Sequence, residues 1–290
     1  MGYDRSGKDK PEYVVISHAD GDHIFGNQLY YDSTIIMHKK ADMQLRRETS
    51  LKLYDLLGSA DPDDEKLPTF VRYYANEFRG LDFRGIELHG ADIVIDDDSD
   101  AAVLLEGMRC DILNVAPAHS TGDILLWLPK ERIIFTGDIV FSDGGIVAHS
   151  EEGMKLWAKA LDKILDLNPA VIVPGHGGLC DVEYLKKLRG YFDFVLSEFD
   201  RLYEDGKNPL EISKEIDITE YVNWLQPERL STVIEALCAG RDPRLVVPGP
   251  DNPAALNESI ERLAKLKTFY EEKYKDIMKP WDPMSSWEEK

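Results

Sequence analysis

Apolar positions along the chain fall into short runs separated by longer stretches of helical spacing, the pattern of a mixed α/β fold. Tyr13-Val14-Val15-Ile16 reads as a buried strand and Thr34-Ile35-Ile36-Met37-His38 as the next, with a short helix predicted from His23 to Tyr30 between them. His38 simply ends its strand in this reading. From Lys39 to about Gly80 the chain turns polar and helix-rich. Leu51, Leu53, Leu56 and Leu57 fall in one stretch, while Phe70, Tyr73, Tyr74 and Phe78 recur near i, i+3, i+4 and i+8, an amphipathic face. Asp61-Pro62-Asp63-Asp64 breaks the two helices apart. Ile86 to Pro117 alternates short strands with turns, Ile124 to Pro129 and Arg132 to Phe135 predict a hairpin around Lys130, and the acidic run Asp96 to Asp100 reads as a solvated loop. Glu151 to Leu167 is expected as an amphipathic helix, Ala170 to Val173 as a strand, and Asp181 to Leu202 as a long helix capped by Asp181. Beyond residue ~206 only helical patterns remain: Asn208-Pro209-Leu210 to Ile216, Gln226 to Ala239 with Pro227 in its first turn, and Pro253 to Lys275. The tail from Met278 carries Trp281 and Trp287 and is expected either loosely ordered or docked by those rings.

Candidate chemistry concentrates where the first strand ends. Ile16-Ser17-His18-Ala19-Asp20-Gly21-Asp22-His23 places two histidines and two carboxylates in six positions, and these are the nitrogen and oxygen donors that divalent zinc, iron or manganese accept. An Asp-Gly pair such as Asp20-Gly21 is also ordinary turn chemistry, and a type I′ or similar turn over Ala19 to Asp22 is the plain alternative. That alternative leaves His18 and His23 unexplained. Three further donors share one grammar of apolar strand, nearby glycine, then ligand-type residue: His119 before Ser120-Thr121-Gly122-Asp123, Asp138 after Ile133-Ile134-Phe135-Thr136-Gly137, and His176 in Val171-Ile172-Val173-Pro174-Gly175-His176-Gly177. Glycine permits the tight backbone and close approach that such a centre requires. A single histidine after a strand is usually a satisfied one, whereas four in this order with the aspartates point to a metal site.

These motifs, covering roughly Tyr13 to Gly177, resemble the metallo-β-lactamase superfamily, whose His-x-His-x-Asp-His motif is followed by a lone His, an Asp or Cys in a Thr-Gly-Asp-like turn, and a Pro-Gly-His. The resemblance implies a four-layer αββα sandwich. It also implies two divalent metal ions, one held by His18, Asp20 and His119, the other by Asp22, His23 and His176, with Asp138 bridging. Gly26-Asn27 matches the Gly-Asn that follows the family's first motif. Asp20 stands where most of the family has its second histidine, and flavodiiron proteins of the same superfamily place a Glu there and bind iron. Three carboxylates against two divalent ions leave a net of about +1, where two would leave about +2, so a bound water becomes a weaker acid. Zinc is the first expectation, with the harder oxygen donor tilting the choice toward iron or manganese.

The resemblance further implies hydrolysis of a small ester, lactone, thioester or amide by a metal-bound hydroxide, with Asp22 exchanging protons with water and leaving group. Ser120, Thr121 and Asp123 are candidates to support the imidazoles, because ligating histidines usually donate their other N–H to an oxygen. Phe141 and His149, on the glycine-bearing loop that leaves Asp138, are candidate substrate contacts. Residues 39–80 occupy the place of an insertion that overhangs the site in the family, a candidate lid, with a packed helical hairpin as the alternative. An iron-dependent redox enzyme of flavodiiron type and an inactive truncated homologue are the rival readings; against the former, no flavodoxin-like phosphate loop is evident.

Composition narrows the rest. With 290 residues and 43% hydrophobic content the chain is expected to form a metallo-β-lactamase-like domain over 1–205 and a helical extension over 206–290 that shapes the pocket or mediates a homodimer. A formal net charge of −20 argues against a nucleic-acid partner, leaving a small molecule as the expected one. Three widely spaced cysteines, no apolar run of membrane length and no signal-peptide core point to reduced thiols in the cytoplasm and no membrane partner. The first metal motif arrives only 17 residues after Met1, whereas the family places strands before it. The first sheet is therefore expected to carry an unpaired edge, as in a fragment, a misplaced start, or a variant completed by a partner.

Overall fold

The computed structural model describes residues 11–47, 51–96, 100–105, 107–142, 144, 146–147, 150–246, 248 and 252–279. Two sheets pack face to face. The first holds β1 (Tyr13–Val15), β2 (Thr34–His38) and β3 (Ile93–Ile95), all parallel, with β2 in the middle. The second runs β4 (Ala101–Leu105), β5 (Met108–Asn114), β6 (Ile124–Leu128), β7 (Ile133–Phe135) and β8 (Val171–Val173), antiparallel until the parallel β7–β8 pair.

Alternation along the strands sorts side chains into layers, because successive residues point to opposite faces. Ile36, Ile95, Ile112 and Ile124 meet between the sheets. Ile35 and Met37 point the other way, onto α1 (Gly21–Ile24) and α2 (Lys39–Leu45) through Ile24, Ala41 and Leu45. On the far side Leu113, Leu125, Trp127 and Ile134 pack under α5 (Glu151–Leu167) and α6 (Val182–Tyr203). The order helix, sheet, sheet, helix is the expected αββα sandwich. Among the described residues β1 is hydrogen-bonded only to β2 and forms an edge.

Helix α5 starts at Ser150, whose hydroxyl accepts from the Gly153 N–H, and α6 at Asp181, whose carboxylate accepts from the Tyr184 N–H. Trp157, Leu161 and Ile164 on one and Leu185, Leu188 and Phe192 on the other are fully buried, each stabilising the fold by roughly 1.5–3 kcal/mol. The later helices α7 (Pro209–Glu215), α8 (Leu230–Arg241) and α9 (Pro253–Lys273) belong to the same apolar cluster through Ile212, Leu230, Val233, Leu237 and Leu266. Buried Glu235 ties α8 to α9 by accepting from Ser259 Oγ and Arg262 Nε, both at 2.6 Å.

Two local readings change. The helical turn after β1 begins at Gly21, not His23, with Asp20 extended as its N-cap and its carbonyl accepting from the N–H groups of His23 and Ile24; a 3-10 turn over Asn27–Tyr30 follows. A type I′ turn over Ala19 to Asp22 therefore does not form. His38 does end β2, but it is buried and its Nδ1 also accepts from the Lys40 N–H to cap α2. The insertion forms α3 (Leu51–Gly58) and α4 (Thr69–Glu77), docked as a packed hairpin: α4 lies against α9, and Tyr54 and Phe83 pack on Phe25 beside the metal motif. Among the described residues no helix is long and apolar enough to cross a membrane. His149, Trp281, Trp287 and Asp97 to Ser99 lie outside the described residues.

Candidate metal centre

All seven donor-type residues come together at the ends of strands. His18 and Asp20 follow β1, the α1 turn carries Asp22 and His23, His119 sits in the β5–β6 loop, Asp138 in a 3-10 turn after β7, and His176 after β8. They form two groups whose ligating atoms lie within 4.8 Å of one another: His18, Asp20, His119 and Asp138, and Asp22, His23 and His176. Asp138 stands between the groups. Its Oδ2 is 3.6 Å from His18 Nε2, 3.6 Å from His119 Nε2 and 3.4 Å from His176 Nε2, and its Oδ1 is 3.1 Å from His23 Nε2. Asp20 Oδ2 lies 3.1 Å from His119 Nε2, and Asp22 Oδ2 lies 3.2 Å from His176 Nε2.

Burial grades across the centre. Side chains of His18, His119 and Asp138 are 1%, 8% and 5% exposed, while Asp22 and His176 are 59% and 45% exposed. The floor is sealed and the mouth opens beside Asp22.

The donor set fits divalent cations on its own chemistry. Among the described residues no lysine or arginine pairs with Asp20, Asp22 or Asp138. Buried His18 Nε2 and Asp138 Oδ1 have no aligned hydrogen-bond partner, and His23 Nε2 faces His176 Nε2 at 3.4 Å. Converging lone pairs of this kind are costly to bury without a cation. Protons take that place when metal is absent. Burial opposes charge on His23, but Asp138 and Asp22 beside it win and push it up to about 10. Asp138 and Asp22 likewise push His176 up to about 9, and Asp20 raises His119 against burial. Burial would raise Asp20 and Asp138, yet the surrounding imidazoles hold both well below the usual carboxylate range; His176 and His23 do the same for Asp22.

Support for the site comes partly from residues the sequence did not single out. Ser17 Oγ is 3.0 Å from His18 Nδ1, leaving Nε2 to face the centre. Trp157 lays its ring edge-on to His119 at 5.0 Å and donates from Nε1 to the Ile139 carbonyl at 2.8 Å. A serine directly before the histidine was the available signal for the first; nothing local marks the second. Asp123 acts differently from expectation: buried, it accepts from the N–H groups of Ala118 and Ser120 and from Ser120 Oγ, folding the loop and not touching an imidazole. Phe141 is buried and stacked on His176 at 5.2 Å, interplanar 5°. Several glycines around the site leave no room for a Cβ. A Cβ at Gly175 would collide with Asp138 Oδ1 and the Gly137 backbone, and Gly137, at φ 48°, would meet Ser17.

This site sits in a chain whose residues 2–176 match the sequence profile of the Metallo-beta-lactamase superfamily. The chain belongs to that superfamily. Among its relatives, a Beta-lactamase-like protein 2 homolog of Caenorhabditis elegans is 26% identical over 211 residues, covering 73% of this chain and 57% of the relative. A Metallo-beta-lactamase type 2 of Bacteroides fragilis is 33% identical over 91 residues, covering 29% of this chain and 35% of the relative. The chain thus spans little more than half the length of the first relative and about a third of the second. Among solved structures, a double mutant of the sec-alkyl sulfatase PisA1 superposes with a TM-score of 0.53 at 15% identity, covering 94% of this chain and 52% of that one. That likeness is one of fold, and it extends over the C-terminal helices.

Proposed function

We propose that the protein is a metal-dependent hydrolase of a small ester, lactone, thioester or amide. His18, Asp20 and His119 would hold one divalent cation, Asp22, His23 and His176 a second, with Asp138 shared. The observation that carries this is the convergence of seven nitrogen and oxygen donors, with no lysine or arginine paired to them among the described residues, on a site with a buried floor and an open mouth. Divalent cations bound there would lower the pKa of water toward neutrality and polarise a carbonyl oxygen. Asp22, exposed at the open mouth and held ionised by His176 and His23, would take a proton from water and pass it to the leaving group. Ser17 Oγ sits beside His18 Nδ1 and leaves Nε2 to face the centre, and Trp157 and Phe141 hold the rings of His119 and His176 against the apolar core. No serine or cysteine nucleophile is needed; the three cysteines are free and buried away from this role.

Zinc is the cation this donor set takes by affinity, and the oxygen of Asp20 in place of a nitrogen shifts preference toward iron or manganese. The test is metal analysis of protein purified without added metal, joined to assays on esters, lactones, thioesters and amides. Two divalent ions per chain are expected, with turnover abolished by chelation and by the double change His18→Ala, His119→Ala. Asp20→His should raise the zinc fraction. A fully metal-loaded protein that cleaves nothing in the panel but consumes oxygen would replace hydrolysis with redox chemistry.

A further inference from the structure

The ring of His176 is held from outside its own loop. Its side chain is 45% exposed, and among the described residues its Nδ1 makes no hydrogen bond, whereas Ser17 Oγ stands at Nδ1 of His18. A ligating imidazole is ordinarily oriented by a partner on its second nitrogen. The torsion that swings an imidazole has broad wells, so an exposed ring without that partner needs another restraint. Phe141 supplies it. The two rings lie 5.2 Å apart and within 5° of parallel, their backbones are bridged, and the Ser142 N–H donates to the His176 carbonyl at 2.9 Å. The buried half of the centre is supported differently: His18 by Ser17, and His119 by the edge-on ring of Trp157, with Phe141 edge-on at 5.8 Å.

Phe141 is in turn fixed by residues far along the chain. Tyr184, in the first turn of α6, donates from its hydroxyl to the Phe141 carbonyl at 2.9 Å, and its ring meets that of Trp224 at 6.2 Å. Buried Gly144 is bridged to Leu225, and an added Cβ there would come within 2.6 Å of Trp224 Cβ and 2.8 Å of the Leu225 nitrogen. Packing this close leaves Gly144 no room to slide. Ile146 then enters the apolar cluster that holds Val222 and Leu230. Residues 221–225, between α7 and α8, are themselves anchored. The Trp224 ring packs on Tyr191 at 5.1 Å and Tyr221 at 4.8 Å, while the Asn223 side chain donates to the Ile277 carbonyl and accepts from the Lys279 N–H just past α9. Contacts thus run from the end of α9 to the ring of His176.

We infer that Tyr184 and the Trp224–Leu225 segment are positioning residues for His176, acting through Phe141, so that the exposed half of the metal centre depends on the C-terminal helices. The buried half does not. This deepens the proposed function and rests on its reading of His176 as a ligand: the helices after α6 set how firmly the group of Asp22, His23 and His176 holds its cation, without contributing a donor of their own.

The test titrates Co(II) into metal-free wild type, Tyr184→Phe and Gly144→Ala, following the two binding steps by calorimetry and by the visible bands of the bound ion. Tyr184→Phe removes one oxygen; Gly144→Ala pushes its segment off Trp224 and Leu225. In both, the second step is expected to weaken about 10- to 100-fold, the usual cost of losing an outer support of a ligand, and the first to stay within about 3-fold of wild type. Should Gly144→Ala fail to fold, by its thermal midpoint, Tyr184→Phe carries the test. A second arm needs no metal: nuclear relaxation of the His176 ring carbon in metal-free protein should report a more mobile ring in Tyr184→Phe than in wild type. If wild type takes up fewer than two ions, the binuclear reading falls by itself and this arm decides the inference. An unchanged second step in a folded variant, equal weakening of both steps, or an equally ordered His176 ring overturns it.

Discussion

Stripping the centre of metal and then adding it back should release protons in a number set by its histidines. With pKa values of about 10 for His23 and about 9 for His176, less than roughly 5% of either imidazole is neutral at pH 7.5. Metal ligation requires both to be neutral. Loading at that pH should therefore expel close to two protons, with His119, also raised, adding to them. Titration calorimetry of a divalent ion into metal-free protein, repeated in buffers of different ionisation enthalpy, reads this number as the slope of observed heat against buffer enthalpy. The apparent affinity should climb about 100-fold per pH unit between roughly pH 7 and 8.5, as release of two protons demands. Stability of the metal-free protein moves the other way. The raised histidines contribute fully below their ordinary value of 6.5, and that contribution disappears as pH rises through about 9 and 10. The depressed carboxylates contribute above their ordinary value of 3.8 and lose it as pH falls toward acid. The thermal midpoints of metal-free and metal-loaded protein should thus diverge steadily above neutrality. A slope below one proton at pH 7.5 would mean that the imidazoles are already neutral beside three ionised aspartates, and the electrostatic account would fail.

Ser17→Ala removes the oxygen beside His18 Nδ1 and is expected to weaken metal binding about 10- to 100-fold, measured by competition with a chelator, with little change in secondary structure by circular dichroism. Gly175→Ala forces a methyl into Asp138 and the Gly137 backbone; unfolding should show a loss of about 1–3 kcal/mol, and metal content should drop. Trp157→Phe keeps an aromatic ring against His119 but leaves the buried Ile139 carbonyl without its donor, an expected cost of about 1–3 kcal/mol in denaturant unfolding. Asp22→Asn should lower kcat by about 10²–10⁴-fold on any substrate the wild type cleaves, with the buried group of His18, His119 and Asp138 still taking up metal.

Much of the architecture was legible along the chain because local rules and tertiary packing agreed. The apolar run Ile35-Ile36-Met37 read as a strand, and in the fold Ile36 is buried between the sheets while Ile35 and Met37 are buried on the opposite face. Glu151–Leu167 formed over the predicted bounds because Ser150 caps it and its apolar stripe has α6 to cover it. Where the readings shifted, a neighbour intervened. The turn at Gly21 became helical because the Asp20 carbonyl could take the N–H groups of both His23 and Ile24. Asp123, placed by its proximity to His119 among supports for the imidazole, was claimed by the open N–H groups of its own loop.

Which residue types lie at the strand ends is fixed by the order of amino acids, and so is their chemistry: histidine and aspartate donors, with glycines where no Cβ has room. Their meeting is not local information. His18 and His176 stand 158 positions apart, and only the stacking of two sheets brings both to the same carboxylate of Asp138, at 3.6 and 3.4 Å. Periodicity encodes what each short segment prefers, whereas burial and charge pairing are decided by which distant segments the core draws together.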